Sequence, residues 1–134
     1  MKSLRKRRIL SILVLVILVS LVCLAVYLKN VADYKQAVQE ISVGDMKISD
    51  IADGVYSGEC NVNYIQAKVK VTIKNKEIVN IDILEHKNER GKPGEAVINE
   101  IVDEQKLDVD TISGATNSSK VIKKAVENAV EKGM

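Results

Sequence analysis

The stretch from Ala67 to Ile83, AKVKVTIKNKEIVNIDI, decides the fold. Apolar Ala67, Val69, Val71 and Ile73 alternate with Lys68, Lys70, Thr72 and Lys74, a strict period of two. Lys74-Asn75-Lys76-Glu77 reads as a turn, after which Val79, Ile81 and Ile83 alternate with Asn80 and Asp82. Successive side chains of a strand point to opposite faces, so the pattern predicts a hairpin with one buried and one wet face. The three lysines on the wet face are a solvated surface.

Upstream, the Asp53-Gly54 turn signal precedes a short candidate strand at residues 55–60. Downstream, His86 to Gly94 (HKNERGKPG) holds two glycines and the only proline, and reads as a loop. Glu95 to Gln105 then predicts a helix with Ala96, Ile98, Ile101 and Val102 on its apolar side. Ser119 to Lys132 predicts a second helix, in which Val121, Ile122, Ala125, Val126, Ala129 and Val130 form one stripe. Strands followed by helices, without βαβ alternation, predict an α+β domain: a small antiparallel sheet with helices packed on one face.

The N-terminal part is of another kind. Lys2, Arg5, Lys6, Arg7 and Arg8 place five positive charges before residue 9, so a formal net charge of +2 leaves the remainder at −3. A mildly acidic remainder has no electrostatic footprint for nucleic acid, and that class is set aside. From Ile9 to Leu28 no residue is charged, and at about 1.5 Å per residue the run makes a helix of about 30 Å, the thickness of a bilayer core. A domain this small has no interior able to surround such a rod. The basic cluster orients the N-terminus to the cytoplasm. Val22 before Cys23 does not suit a lipoprotein, and the apolar run is long for a signal peptide cleaved after Ala25, so an uncleaved signal anchor is expected. The expected order is a basic cytoplasmic segment at 1–8, a transmembrane anchor at 9–28, a stalk at 29–49 and an extracytoplasmic domain at 50–134. Val31, Tyr34, Val38 and Ile41 extend helical spacing into the stalk. Cys60 is then the domain's single cysteine, which leaves it no internal disulfide and no metal cluster.

The chemistry concentrates in residues 108–119, DVDTISGATNSS, directly before the last helix. Unpaired amides and the positive end of the dipole make a helix N-terminus an anion site. Gly114 and Ala115 let a ligand approach the backbone, and Ser113, Thr116, Ser118 and Ser119 offer hydroxyls. A helix cap at Ser118 or Ser119 explains one hydroxyl, not a cluster. Asp108 and Asp110 have no basic or nucleophilic partner close in sequence, so paired-carboxylate hydrolysis reads poorly. His86, the only histidine, is either a polar strand-end residue or a proton shuttle.

Asp110-Thr111-Ile112-Ser113-Gly114-Ala115-Thr116 resembles the flavinylation motif of the FMN-binding domain family, which includes subunits of sodium-translocating NADH:quinone reductase and of the Rnf complex. Thr111 stands where that motif often has Gly. Asp53-Gly54-Val55-Tyr56-Ser57-Gly58 resembles the family's opening strand, and His86-Lys87-Asn88 with Gly91 resembles a short form of a family loop. The Glu-Thr-Pro-Gly of longer relatives is absent, which leaves Glu89 and its neighbours without an assigned contact. The resemblance implies FMN as cofactor, esterified through its phosphate to Thr116 by a separate flavin transferase. It also implies Ser113, Gly114, Ala115 and Asp110 as part of the cofactor-binding set, to which the local reading adds Ser118, Ser119 and His86.

The expected function is an anchored electron carrier between membrane redox partners, or to an external acceptor. The other class is a cofactor-free assembly module of the envelope. A stand-alone flavin reductase is disfavoured, because no Gly-x-Gly-x-x-Gly loop is present and aromatic residues are few.

Overall fold

The computed structural model describes residues 2–87 and 91–134, in two compact units divided between Lys35 and Gln36. Helix α1 (Lys2–Glu40) carries the apolar run of the first unit. Its large apolar side chains between Ile9 and Leu28 are 48–62% exposed, so no protein interior accounts for them. The Ser11 hydroxyl donates to the Arg7 carbonyl (3.0 Å) and that of Ser20 to Val16 (2.8 Å). Both serine hydroxyls of the run are thus satisfied within the helix, as hydrocarbon surroundings require. The helix is long and apolar enough to cross a membrane and is compatible with a single-pass anchor.

The second unit is α+β, as the sequence predicts. Strands β1 (Gly54–Asn61), β2 (Gln66–Lys74) and β3 (Glu77–Lys87) form an antiparallel sheet in the order β1-β2-β3. Ala67, Val69, Val71 and Ile73 of β2 are all buried. The turn between β2 and β3 places Asn75 (φ 54°) and Lys76 (φ 62°) in the left-handed region, the geometry whose twist matches a tight hairpin. Asp53 steadies it, because its carboxylate accepts from the amides of Asn75 (3.0 Å) and Lys76 (3.1 Å).

Those two bonds hold the Asp53 carboxyl below the usual carboxylate range. A carboxyl depressed in the folded state adds stability above its ordinary value, and that stability is lost as pH falls through the folded value. Asp53→Asn is therefore expected to melt below wild type at pH 7, with the two Tm values converging below about pH 4. Thermal melts across that range check this, and a constant Tm gap would contradict it.

Strand β3 departs from simple alternation. It has 11 residues against nine in β2, and the register shifts twice. Ile73 pairs with Ile78 while Thr72 pairs with Asn80, so Val79 is an extra residue. Val69 pairs with Ile83 while Lys68 pairs with Glu85, so Leu84 is the other. Each bulge flips the phase of the strand. Ile78 and Ile81 are consequently buried, while Val79 and Leu84 are about half exposed (49% and 51%), which corrects the expected inward placement of Val79.

One face of the sheet is covered by α2 (Val97–Glu104) and α3 (Thr116–Val130). All six residues of the predicted stripe on α3 are buried. Gly58 lets α3 lie directly on β1, since a Cβ there would stand 2.3 Å from the Ala129 nitrogen and 2.4 Å from the Ala125 oxygen. Helix α2 is shorter than predicted and buries Val97 and Ile101, while Ala96 is exposed. The reason is a 3-10 turn over Lys92–Ala96, which delays the α-helix and rotates its inward face. Gln105 ends α2 and joins it to β3. Its side-chain amide accepts from the Ile78 nitrogen and donates to the Ile78 oxygen, both at 2.8 Å, as a neighbouring strand would.

The predicted helical stalk ends earlier than Gly44. After Glu40 the chain leaves the helix, and the buried Glu127 carboxylate accepts from the Gly44 amide (2.7 Å) and from Lys124 Nζ (2.6 Å). The bond to Glu127 lifts Lys124 above the usual lysine range.

Candidate functional site

The loop between α2 and α3 is braced from beneath. Buried Lys123 Nζ donates to the Val109 carbonyl (2.5 Å) and lies 3.4 Å from an Asp108 carboxylate oxygen. Asp108 therefore has the basic partner that sequence proximity did not supply, from one α3 turn beyond the hydroxyl cluster. Asp110 is exposed. The Ala115 amide donates to the Ile112 carbonyl (2.9 Å) and closes the turn through Gly114. Gly114 takes φ 79°, a conformation that favours glycine, and a Cβ added there would meet nothing within 4 Å.

Helix α3 begins at Thr116, three residues before the predicted start at Ser119. It runs through the hydroxyl cluster because Ser119 turns inward. The Ser119 hydroxyl accepts from the Ile112 amide (3.0 Å) and donates to the Ala115 carbonyl (2.8 Å), tying the loop to the first turn. Ser119 and Ser118 are buried, whereas Ser113, Gly114 and Thr116 are exposed and Ala115 is buried as the residue before the helix. The structure thus divides the predicted set. Ser113, Gly114, Thr116 and Asp110 face outward at the helix start, and Ser118 and Ser119 support them from inside.

His86 joins the inner group. It ends the row Cys60-Ala67-His86 across the three strands, and its side chain is 2% exposed. Its Nε2 lies 3.1 Å from Ser118 Oγ and its Nδ1 3.6 Å from Glu95 Oε1. The Leu84 bulge is the cause: without it Glu85, not His86, would stand opposite buried Ala67. Cys60, at the other end of the row, is half-buried, and burial pushes its thiol up, the condition of an unreactive cysteine. Asn88 and Glu89, which entered the loop resemblance, lie outside the described residues.

Two contributors escaped the sequence reading. Gly94 lies against the start of α3, where a Cβ would stand 3.0 Å from Ser118 Cβ, 3.1 Å from the Ser119 nitrogen and 3.2 Å from the Ala115 oxygen. Glu95 supplies the carboxylate behind His86. The Pro93-Gly94 pair was the available signal, since such a dipeptide marks a turn where backbones can approach closely.

The arrangement suits a phosphorylated ligand. Helix α3 has 15 residues, its N-cap residue Ala115 makes no side-chain cap bond, and its first turn holds no acidic residue. First-turn amides lack partners within a helix, so they and the dipole favour an anion there. Two exposed hydroxyls, Ser113 and Thr116, lie on either side of an open, left-handed glycine at which even a Cβ would meet no atom within 4 Å. No curated protein matches the chain. A sequence model described as the FMN-binding domain matches residues 65–131, half of the chain, from just before β2 to the end of α3. The residues present fit FMN, and the chain belongs to the FMN-binding domain family, with FMN as its cofactor.

Proposed function

We propose that the protein is a membrane-anchored flavoprotein that carries FMN esterified to Thr116 and relays electrons between membrane redox partners or to an external acceptor. The observation that carries this reading is the exposure of Thr116 at the first position of α3, beside open Gly114. Bound FMN supplies reversible electron uptake and release; the chain supplies position and charge. The N-terminus of α3 would favour the phosphate charge, Gly114 places no side chain beside it, and Lys123 and Ser119 hold the loop against the helix. A separate flavin transferase installs the ester, and α1 holds the carrier at the bilayer. The basic segment before the span faces the cytoplasm and the domain lies outside.

Full-length chain expressed with a flavin transferase should gain the mass of FMN less one water and show a fluorescent band on a denaturing gel. The loaded protein should be bleached by dithionite and recover with small acceptors, without saturable NADH turnover. Loss of all flavin on denaturation would defeat the covalent reading, and saturable NADH oxidation would make the protein an enzyme instead of a carrier. Protease added to intact cells should digest the domain and spare the span. A domain cut only after lysis would reverse the orientation.

A further inference from the structure

Ser118, His86 and Glu95 form a line from the first turn of α3 to the surface. Hydroxyl, imidazole and carboxylate stand in the order of a hydrolytic triad, with separations of 3.1 and 3.6 Å. Burial of Ser118 to 1% exposure removes it as a nucleophile toward any external substrate. The line has a different consequence, because Ser118 is two residues from exposed Thr116 on the same helical turn. We propose that His86 is a positioning residue for flavin attachment: through Ser118, with Glu95 behind it, it sets the turn of α3 that presents the Thr116 hydroxyl. This rests on Thr116 being the acceptor.

Three contacts bear on that turn. Gly94 lies against Ser118 Cβ, Ser119 is bonded to Ile112 and Ala115, and His86 holds the Ser118 hydroxyl. The first two act on backbone or on Cβ and leave the hydroxyl rotor of Ser118 undetermined. His86 determines it. A carboxylate oxygen only accepts, so in a neutral imidazole the Glu95 oxygen 3.6 Å from Nδ1 favours the proton there and leaves Nε2 to accept from Ser118. The bond therefore ties the first turn of α3, two residues from Thr116, to the end of β3. Since β3 places His86 inward only because of the Leu84 bulge, a local irregularity of the sheet serves the loop across from it.

His86 is the only histidine, so selective 15N-histidine labelling of the full-length chain in detergent reports this imidazole alone. Wild type before loading should show the Nδ1–H tautomer, and Ser118→Ala should shift the Nε2 signal. Labelling by the transferase is then measured against chain concentration at saturating flavin donor. His86→Leu and Ser118→Ala should each lower kcat by about 10- to 100-fold with KM within about twofold, the signature of a misplaced nucleophile. The double variant should be no slower than either single one, because both remove the same contact. His86→Gln should restore much of the rate, since its amide can reach Ser118. Melting curves identify any variant that fails to fold; the Ser118→Ala and His86→Gln pair, with the wild-type tautomer, then decides the matter. Wild type labelled on Thr116 with unchanged kcat in His86→Leu overturns the inference alone, as does a rise in KM at constant kcat. Wild type labelled elsewhere or not at all overturns the Thr116 reading and this inference with it.

Discussion

Thr116→Ala is expected to abolish the covalent flavin label completely and to leave the fold intact. Thr116 is exposed at the first position of α3, so its hydroxyl supports no packing, and an exposed Thr-to-Ala change there should alter stability by no more than about 0.5 kcal/mol. Loss of fluorescence on a denaturing gel at an unchanged Tm is the expected pairing. Thr116→Ser should keep part of the label, because the nucleophilic oxygen remains. Asp110→Ala should lower labelling if the transferase reads that exposed acid. Peptide mapping supplies the decisive contrast. Ser113 is the other exposed hydroxyl of the loop, whereas Ser118 is buried against His86 and Gly94. Label remaining in Thr116→Ala and mapped to Ser113 would shift the acceptor within the motif. Label on Ser118 would require α3 to unwind at its start.

The largest expected stability effect comes from Gly58→Ala. The new methyl would collide with backbone atoms of Ala125 and Ala129 at 2.3–2.7 Å, and backbone cannot rotate away as a flexible side chain can. Helix α3 covers β1 and β2 through a stripe whose members are 0% exposed, so the cost of lifting it falls on the whole core. A destabilisation of about 3 kcal/mol or more is expected, at or above the usual range for overpacking. For a domain of this size that lowers Tm by more than about 10 °C. Gly114→Ala should behave differently, because its Cβ meets no atom within 4 Å and only the left-handed φ is strained, at about 1 kcal/mol. A Gly58→Ala melt within 2–3 °C of wild type would mean that α3 sits higher on β1 than the structure has it.

Much of this architecture was legible in the chain, because the relevant signals are local. A strand with one wet face must alternate, and β2 does so without interruption. A helix on a sheet must carry a continuous stripe, and the six apolar positions of α3 do. The apolar run from Ile9 to Leu28 needs only its length and lack of charge to be read as a span. The segment that resembles the family's flavinylation motif is likewise written in consecutive residues, from Asp110 to Thr116.

What the sequence could not disclose depends on pairing between distant segments. Two extra residues in β3 are invisible until its register against β2 is known, because an alternating pattern with a bulge looks like an alternating pattern with noise. That register exposes Val79 and turns His86 inward toward Ser118. The close seat of Gly94 on the start of α3, and the reach of Lys123 to Val109, require α3 to be docked first. The start of α3 at Thr116 has the same origin, since Ser119 is drawn inside by Ile112 and Ala115 and cannot act as an exposed cap. The sequence alone therefore determined an apolar helix long enough to cross a membrane, the α+β class and the hydroxyl-rich loop before α3. Tertiary packing decided which hydroxyls of that loop face the solvent and which hold it in place, because burial is a property of the partner surface and not of the residue.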